Sequence, residues 1–122
     1  MLEDFYSIIN QTIADNSAVI NIHFNIQHPI FQGHFPTMPV VPGACLVEMV
    51  GELTSKVLGK ELHLSVAQNI KFVQVIYPDK VESVSFDILW AEVEGGYATK
   101  CLIHNEETSY AMMKVTLCES DR

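Results

Sequence analysis

The chain has 122 residues, of which 48% are hydrophobic, and a formal net charge of −8. This length fits a single domain, residues 1–122, around one core. The negative charge argues against a nucleic-acid partner, because phosphate backbones are bound by basic patches. No stretch reaches the roughly 18 consecutive apolar residues of a membrane span. Acidic Glu3 and Asp4 precede any apolar run, unlike a secretory signal, so we expect a cytoplasmic protein.

Within the first 26 residues the spacing of hydrophobic residues changes from that of a helix to that of a strand. Leu2, Phe5, Ile8, Ile9 and Ile13 are spaced as on one face of a helix, which predicts a short amphipathic helix over residues 2–13. From residue 20 to residue 26, isoleucine and phenylalanine alternate with polar residues. That alternation predicts a half-buried strand.

Residues 28–42 contain four of the five prolines, Pro29, Pro36, Pro39 and Pro42. Proline fixes φ and makes the residue before it extended, so we expect a stiff, ordered connection. Pro42-Gly43 then opens a predicted helix to about Leu58, with Gly59 just beyond its end. This helix is apolar around most of its surface and should be largely buried. Its narrow polar stripe consists of Glu48, Gly51, Glu52 and Ser55.

The remainder of the chain predicts strands. Residues 62–76 form one long or bent strand, and alternating runs follow around residues 84–90, 97–103 and 111–117. Glu94-Gly95-Gly96 predicts a hairpin turn. An antiparallel meander needs one face covered, and the long helix is the element able to cover it. The expected fold class is α+β, a sheet wrapped around a helix.

The three cysteines are Cys45, Cys101 and Cys118. An odd number without close spacing predicts neither a disulfide framework nor a zinc half-site. We expect all three to be buried thiols. The spacing of His23, His28 and His34 fits no metal-ligand pattern either, so no metal site is predicted.

Three groups within fifteen residues suit acid–base chemistry. His34 lies in the proline-rich segment and can accept a proton near neutral pH, and Gly33 before it allows close approach. The free N–H groups at the start of the helix, at Gly43 and Ala44, can polarise a carbonyl. Glu48 follows about one turn later among apolar neighbours, which favour the protonated carboxyl. The residues alone leave open that His34 is structural and that Glu48 faces solvent.

The segment from Phe24 to Glu48 resembles the 3-hydroxyacyl-acyl-carrier-protein dehydratase family of the FabZ/FabA type. The family pattern is P-x-F-x-G-H-F-P-x-x-P-x-x-P-G followed by a helix that bears an acidic residue. This chain matches it at ten positions: Pro29, Phe31, Gly33, His34, Phe35, Pro36, Pro39, Pro42, Gly43 and, on the helix, Glu48. A weaker match continues through Ile70-Lys71-Phe72-Val73 and Pro78-Asp79. The resemblance covers about residues 18–118.

The resemblance implies a single hotdog fold and a homodimer, or a larger assembly of such dimers. Each active site would take His34 from one chain and Glu48 from the other. His34 would remove a C2 proton from a 3-hydroxyacyl thioester, the Gly43 N–H would stabilise the thioester oxygen, and Glu48 would protonate the departing hydroxyl. Gly33, Phe35 and Pro42 would support the substrate tunnel. No metal or cofactor is expected.

Three further positions are singled out by comparison with the family pattern or by their neighbours in the sequence. Many family members have Gln where this chain has Glu52, which either assists the reaction or is solvated. The Lys-Arg pair that helps to dock the acidic acyl carrier protein in the family is replaced by Val73-Gln74 in this chain, and Lys71 remains nearby as the candidate for a local basic patch. Tyr77, beside Pro78, either gates the tunnel or packs.

The resemblance implies dehydration in fatty-acid or polyene-type biosynthesis. The alternatives are a hotdog acyl thioesterase and a coenzyme A-linked enoyl hydratase. From a different class, a non-catalytic partner subunit of a dehydratase heterodimer also fits the fold, although such subunits usually lack one of the two catalytic residues.

Overall fold

A computed structural model describes residues 2–33, 37–106 and 108–120. Its described part contains two helices and one six-stranded antiparallel sheet with the strand order β1-β2-β4-β5-β6-β3. The elements are β1 (Tyr6–Ile13), β2 (Ser17–Phe24), α1 (Pro29–Gly33), α2 (Gly43–Leu58), β3 (Leu62–Phe72), β4 (Val84–Val93), β5 (Gly96–Asn105) and β6 (Thr108–Glu119). The sheet wrapped around α2 is the hotdog fold, as predicted.

The helix predicted over residues 2–13 is wrong, because most of this segment is strand β1, paired with β2. Isoleucine and threonine at consecutive positions favour a strand over a helix. The helical spacing was coincidental, since Ile9 and Ile13 are about half exposed and share no buried face. The β2 prediction was shifted: the strand begins at Ser17, and Ile26 lies outside it, partly exposed.

Helix α2 has the predicted bounds. Pro42 precedes it with extended geometry (φ −63°, ψ 142°), and Gly59 ends it in the left-handed conformation (φ 65°) that glycine adopts without steric cost. One face is fully buried, at Leu46, Met49, Val50, Leu53 and Thr54. The Thr54 hydroxyl donates a 2.7 Å hydrogen bond to the Val50 carbonyl, so the polar group in this face has a partner.

Helix α2 lies beside β3 and β4, and its buried face shares one hydrophobic core with the inner faces of β2, β4, β5 and β6. Every second residue of these strands is buried there, among them Ile20, Ile22, Phe86, Ile88, Ile103 and Leu117. The predicted turn between β4 and β5 is confirmed at Glu94 and Gly95. Cys101 is buried, as expected, whereas Cys45 and Cys118 are only half-buried, and Cys45 packs against the edge of the core.

Strand β3 ends at Phe72, four residues earlier than predicted. Beyond it the Val73 N–H still donates to the Tyr110 carbonyl at 2.7 Å. The chain then leaves the sheet, and the Ile76 carbonyl accepts the Val41 N–H. β3 is an edge strand, and nine of its eleven residues are exposed. Across the described residues, none of the helices has both the length and the apolar character needed to span a membrane.

Candidate active site

The N-terminus of α2 presents unpaired backbone donors. Pro42 offers no side-chain cap, and its carbonyl accepts the N–H groups of Cys45 (3.0 Å) and Leu46 (3.4 Å). The N–H groups of Gly43 and Ala44 have no acceptor among the described residues. Since the helix dipole places partial positive charge at this end, the two donors suit an oxygen that gains negative charge.

Phe72, at the end of β3, lies directly over Gly43. A Cβ atom at position 43 would be 2.7 Å from the Phe72 Cζ atom and 3.1 Å from both Cε atoms. Glycine permits this close contact, because a side chain at position 43 would displace the Phe72 ring. Phe72 is 52% exposed, so its outer surface is free to contact a ligand. Sequence reasoning assigned no role to Phe72, although it lies in the weaker stretch of the family match.

Glu48 is exposed and lies about 7.5 Å along the helix axis from Gly43, from a rise of about 1.5 Å per residue. Its carboxylate has no hydrogen-bond partner among the described residues. It is close enough to Cys45 to act on it electrostatically: burial first, and the Glu48 charge second, raise the pKa of the Cys45 thiol. The acid candidate thus projects away from the core of its own chain.

Glu52, one turn further, has a different environment and is not a solvated residue. Its Oε2 atom accepts the Leu2 N–H at 3.0 Å, and its Oε1 atom accepts the Tyr6 hydroxyl at 3.0 Å. Burial, together with the charge and hydrogen bond of Glu52, raises the pKa of Tyr6 well above its usual value. Both carboxylate oxygens are therefore bonded to donors of the N-terminal segment.

The predicted base, His34, lies outside the described residues, with Phe35 and Pro36. The residues that lead to it form α1, which ends at Gly33. Gly33 is exposed, with open space where a Cβ atom would stand. The roles of His34, Phe35 and Gly33 remain predictions.

Two other histidines are bound to the backbone. The Nδ1 atom of His28 accepts the Ile30 N–H at 3.1 Å, so its Nε2–H donates to the Glu3 carbonyl at 3.0 Å. His23 Nδ1 lies 2.8 Å from the Glu82 carbonyl. Both rings are thus held by backbone contacts.

Lys71 and Tyr77 are the remaining residues singled out in the sequence. Lys71 is exposed and pairs with Met112, on the outer face of the sheet. Tyr77 is half-buried, and its carbonyl accepts the Lys80 N–H in a turn. Neither contact tests the predicted docking or gating role.

The site around α2 is open in the single chain. A surface depression of about 660 Å³ lies elsewhere, between residues 23–26 and 78–82, and includes neither Gly43 nor Glu48. The α2 donors, Phe72 and the free Glu48 carboxylate therefore lie outside this depression.

Comparison with known proteins assigns the family. The model of the ApeI-like family, described as ApeI dehydratase, matches residues 10–110. The chain belongs to this dehydratase family.

Sequence relatives of this dehydratase-family chain include FabZ enzymes named 3-hydroxyacyl-[acyl-carrier-protein] dehydratase. The protein of Geobacter metallireducens is 25% identical over 109 residues, which cover 80% of this chain and 71% of the relative. That of Rickettsia akari is 35% identical over 72 residues, covering 52% and 50%. The chain thus spans between half and about seven tenths of these curated relatives.

Solved structures share the fold of this dehydratase-family chain. The dehydratase heterocomplex ApeI:P from Xenorhabdus doucetiae contains a chain with a TM-score of 0.74 at 21% identity, with 93% of this chain and 97% of that one covered. An uncharacterized protein from Erwinia carotovora subsp. atroseptica gives 0.70 at 18%, covering 96% and 98%. At these identities the likeness establishes the hotdog fold.

Proposed function

We propose that the protein dehydrates a 3-hydroxyacyl thioester to a trans-2-enoyl thioester, in fatty-acid or polyene-type biosynthesis. The observation that carries the proposal is the uncapped α2 N-terminus at Gly43, with the free Glu48 carboxyl one turn away on the same helix. Within a dehydratase family, this arrangement supports Gly43 as the oxyanion donor and Glu48 as the proton donor, about 7.5 Å apart along the helix axis.

In the proposed reaction, His34 takes the proton from C2, and electron density moves onto the thioester oxygen, where the Gly43 N–H stabilises it. The C3–O bond then breaks, and Glu48 supplies the proton that converts the leaving hydroxyl to water. General acid–base catalysis contributes about 10²–10⁴-fold, and one oxyanion donor about 3–4 kcal/mol. These groups can account for useful catalysis.

A second chain would complete the site. The free edge of β3 has unpaired backbone groups and exposed Leu64, Val66 and Phe72, a combination that soluble proteins usually cover. The family resemblance implies that such a pairing of two chains brings Glu48 of one chain to His34 of the other. We propose a homodimer of this kind. A related but different chain is the second candidate, because the solved ApeI:P assembly is a heterocomplex.

The substrate would be carried on acyl carrier protein, as the names of the FabZ relatives say of theirs. Lys100 and Lys114 are exposed and directly opposite each other on β5 and β6, and Lys71 lies diagonally across from Lys114 on β3. Like charges in a cross-strand pair are destabilising, and no ion pair among the described residues involves these lysines. An acidic carrier surface would offset this repulsion.

Ultraviolet-monitored hydration of a short 2-enoyl thioester, the reverse reaction, tests the proposed chemistry. His34→Ala and Glu48→Gln should each lower kcat by about 10²–10⁴-fold while the protein stays folded. Glu92→Gln, at an exposed position on β4, is the matched control and should retain full activity. A wild type that is inert on both carrier-bound and coenzyme A-bound substrates would overturn the enzyme assignment. Thiol release without water loss would instead identify a thioesterase.

The carrier is tested by comparing two forms of the same substrate. Charge reversal in Lys100→Glu with Lys114→Glu should raise KM for the carrier-bound thioester by about tenfold or more and leave KM for the coenzyme A thioester unchanged, since rim charges act on encounter. Lys80→Glu makes the same type of charge change in the loop after β3 and should have no such effect. Equal KM changes for both substrates would contradict docking on this face.

A further inference from the structure

We call residues Leu2–Tyr6 the N-terminal strap. It contacts both α2, which bears Glu48, and the start of α1, which immediately precedes His34. On the side of α2 it donates the Leu2 N–H and the Tyr6 hydroxyl to Glu52, each at 3.0 Å. On the side of α1 its Glu3 carbonyl accepts the His28 Nε2–H at 3.0 Å. The strap thus has polar contacts to both helices.

An apolar cluster reinforces the contact with α1. Phe5 is fully buried and stacks on Phe31 of α1, with ring centroids 4.8 Å apart and planes 19° apart. Phe24, at the end of β2, meets both rings edge-on at 5.7 and 6.3 Å. His28 also meets the Phe5 ring edge-on at 5.2 Å. Movement of the strap would therefore move Phe31.

Helix α1 depends on these contacts for its position. It has only five residues, and a helix of that length is not stable alone. His28 begins it, because the His28 ring accepts the Ile30 N–H and the His28 carbonyl accepts the N–H groups of Phe31 (3.0 Å) and Gln32 (3.2 Å). The ring of His28 is in turn fixed by the strap.

We propose that Glu52 is a positioning residue: by holding the strap on α2, it fixes α1, the turn that immediately precedes His34, to the body of its own chain, and so sets the position from which His34 would meet Glu48 of the other chain in the proposed dimer. This inference rests on the proposed function. Both Glu52 oxygens are occupied by donors of the strap, so Glu52 acts through these contacts and leaves the substrate hydroxyl to Glu48.

Steady-state kinetics of three variants test the inference. Glu52→Ala should lower kcat by about tenfold or more with little change in KM, since a displacement of about 1 Å in a catalytic group costs up to about 100-fold. Tyr6→Phe removes one of the two bonds and should give a smaller loss of the same kind. Glu52→Gln should restore most of kcat, because its amide oxygen can accept the Leu2 N–H and its NH₂ can donate to the Tyr6 oxygen.

Amide hydrogen exchange gives a readout that is independent of catalysis. In Glu52→Ala the Phe31 and Gln32 amides should exchange faster, while the Ile103 amide in β5 should keep its rate. Ile88→Val, which removes one buried methylene from β4, is the control for general destabilisation. It should lower the melting temperature without changing kcat or the exchange of these two amides.

The outcomes separate the two proposals. If wild type is inert on every thioester, the proposed function fails, but the exchange experiment still tests the strap. If the Phe31 and Gln32 amides keep their exchange rates in Glu52→Ala, the positioning role is wrong. A kcat for Glu52→Gln as low as that of Glu48→Gln would also overturn it, because Glu52 would then take part in the chemistry directly.

Discussion

The central strands of the sheet and strand β3 differ in how far their own chain covers them. In β4 and β5, side chains alternate between a buried inner face against α2 and an outer face that is exposed or half-buried. β3 runs beside the same helix, with its Leu62 N–H bonded to the Ser55 hydroxyl at one end and Phe72 over Gly43 at the other. Between these ends all of its side chains except that of Ile70 are exposed.

This difference links stability to the covered strands and the proposed function to the region around β3. The covered strands form a core that one chain completes alone, whereas β3 presents apolar residues and a free edge beside the uncapped helix end. The candidate site therefore lies at the part of the fold that a single chain leaves unfinished. Substitutions in the two regions should have different consequences.

The largest effect is expected in the covered region. Phe86→Ala removes a fully buried ring from β4 and should lower the free energy of unfolding by about 3–5 kcal/mol, because a cavity remains. Leu89→Ala, in the same strand but 57% exposed, should cost about 0.5 kcal/mol or less. Urea unfolding measures both. Equal costs would mean that the outer face of β4 is also packed in solution.

A charge on β3 should break association. Val66→Lys places a cation on the exposed edge strand, where it opposes strand pairing, and should weaken self-association by about tenfold or more. Val19→Lys, at a similarly exposed position on the inner strand β2, should leave association unchanged. Sedimentation velocity over a range of concentrations distinguishes the two. If both variants associate like wild type, chains do not pair through β3.

The contact between Gly43 and Phe72 should matter for activity more than for stability. In Gly43→Ala the new methyl group meets the Phe72 ring, which displaces the ring or the donors beneath it. We expect kcat/KM on a short 2-enoyl thioester to fall by about tenfold, less than the 10²–10³ of removing an oxyanion donor outright. Phe72→Leu in the same chain should recover part of the loss. A Gly43→Ala variant with the wild-type kcat/KM would show that the end of α2 is not part of the site.

The smallest effect is expected at Cys45. Because the Glu48 charge contributes to its raised pKa, Glu48→Gln should lower that pKa, increase the thiolate fraction at pH 8 and speed alkylation by about twofold. Burial, the larger cause, remains. The measurement uses a Cys118→Ser background, since Cys118 is also half-buried, and Glu92→Gln as the control. An unchanged rate would mean that Glu48 points away from Cys45.

Much of the fold could be predicted where neighbouring residues carry the information. Pro42 and Gly59 set the two ends of α2 through their own backbone preferences, and Glu94 and Gly95 form the turn between β4 and β5. The alternation of β4 and β5 marks their buried faces directly. The spacing of His34, Gly43 and Glu48 also identified the candidate chemistry, because a rigid segment followed by a helix is a local pattern.

The remaining features depend on residues far apart in the chain. β1 is a strand because β2 lies beside it, a pairing that the spacing of its own isoleucines did not reveal. Glu52 meets the Leu2 amide 50 residues away, and Phe72 reaches Gly43 from the opposite end of β3. The sequence by itself determined backbone preferences and hydrophobic periodicity. Tertiary packing decided which carboxylate is bonded and which is free, because that depends on the groups that folding brings together.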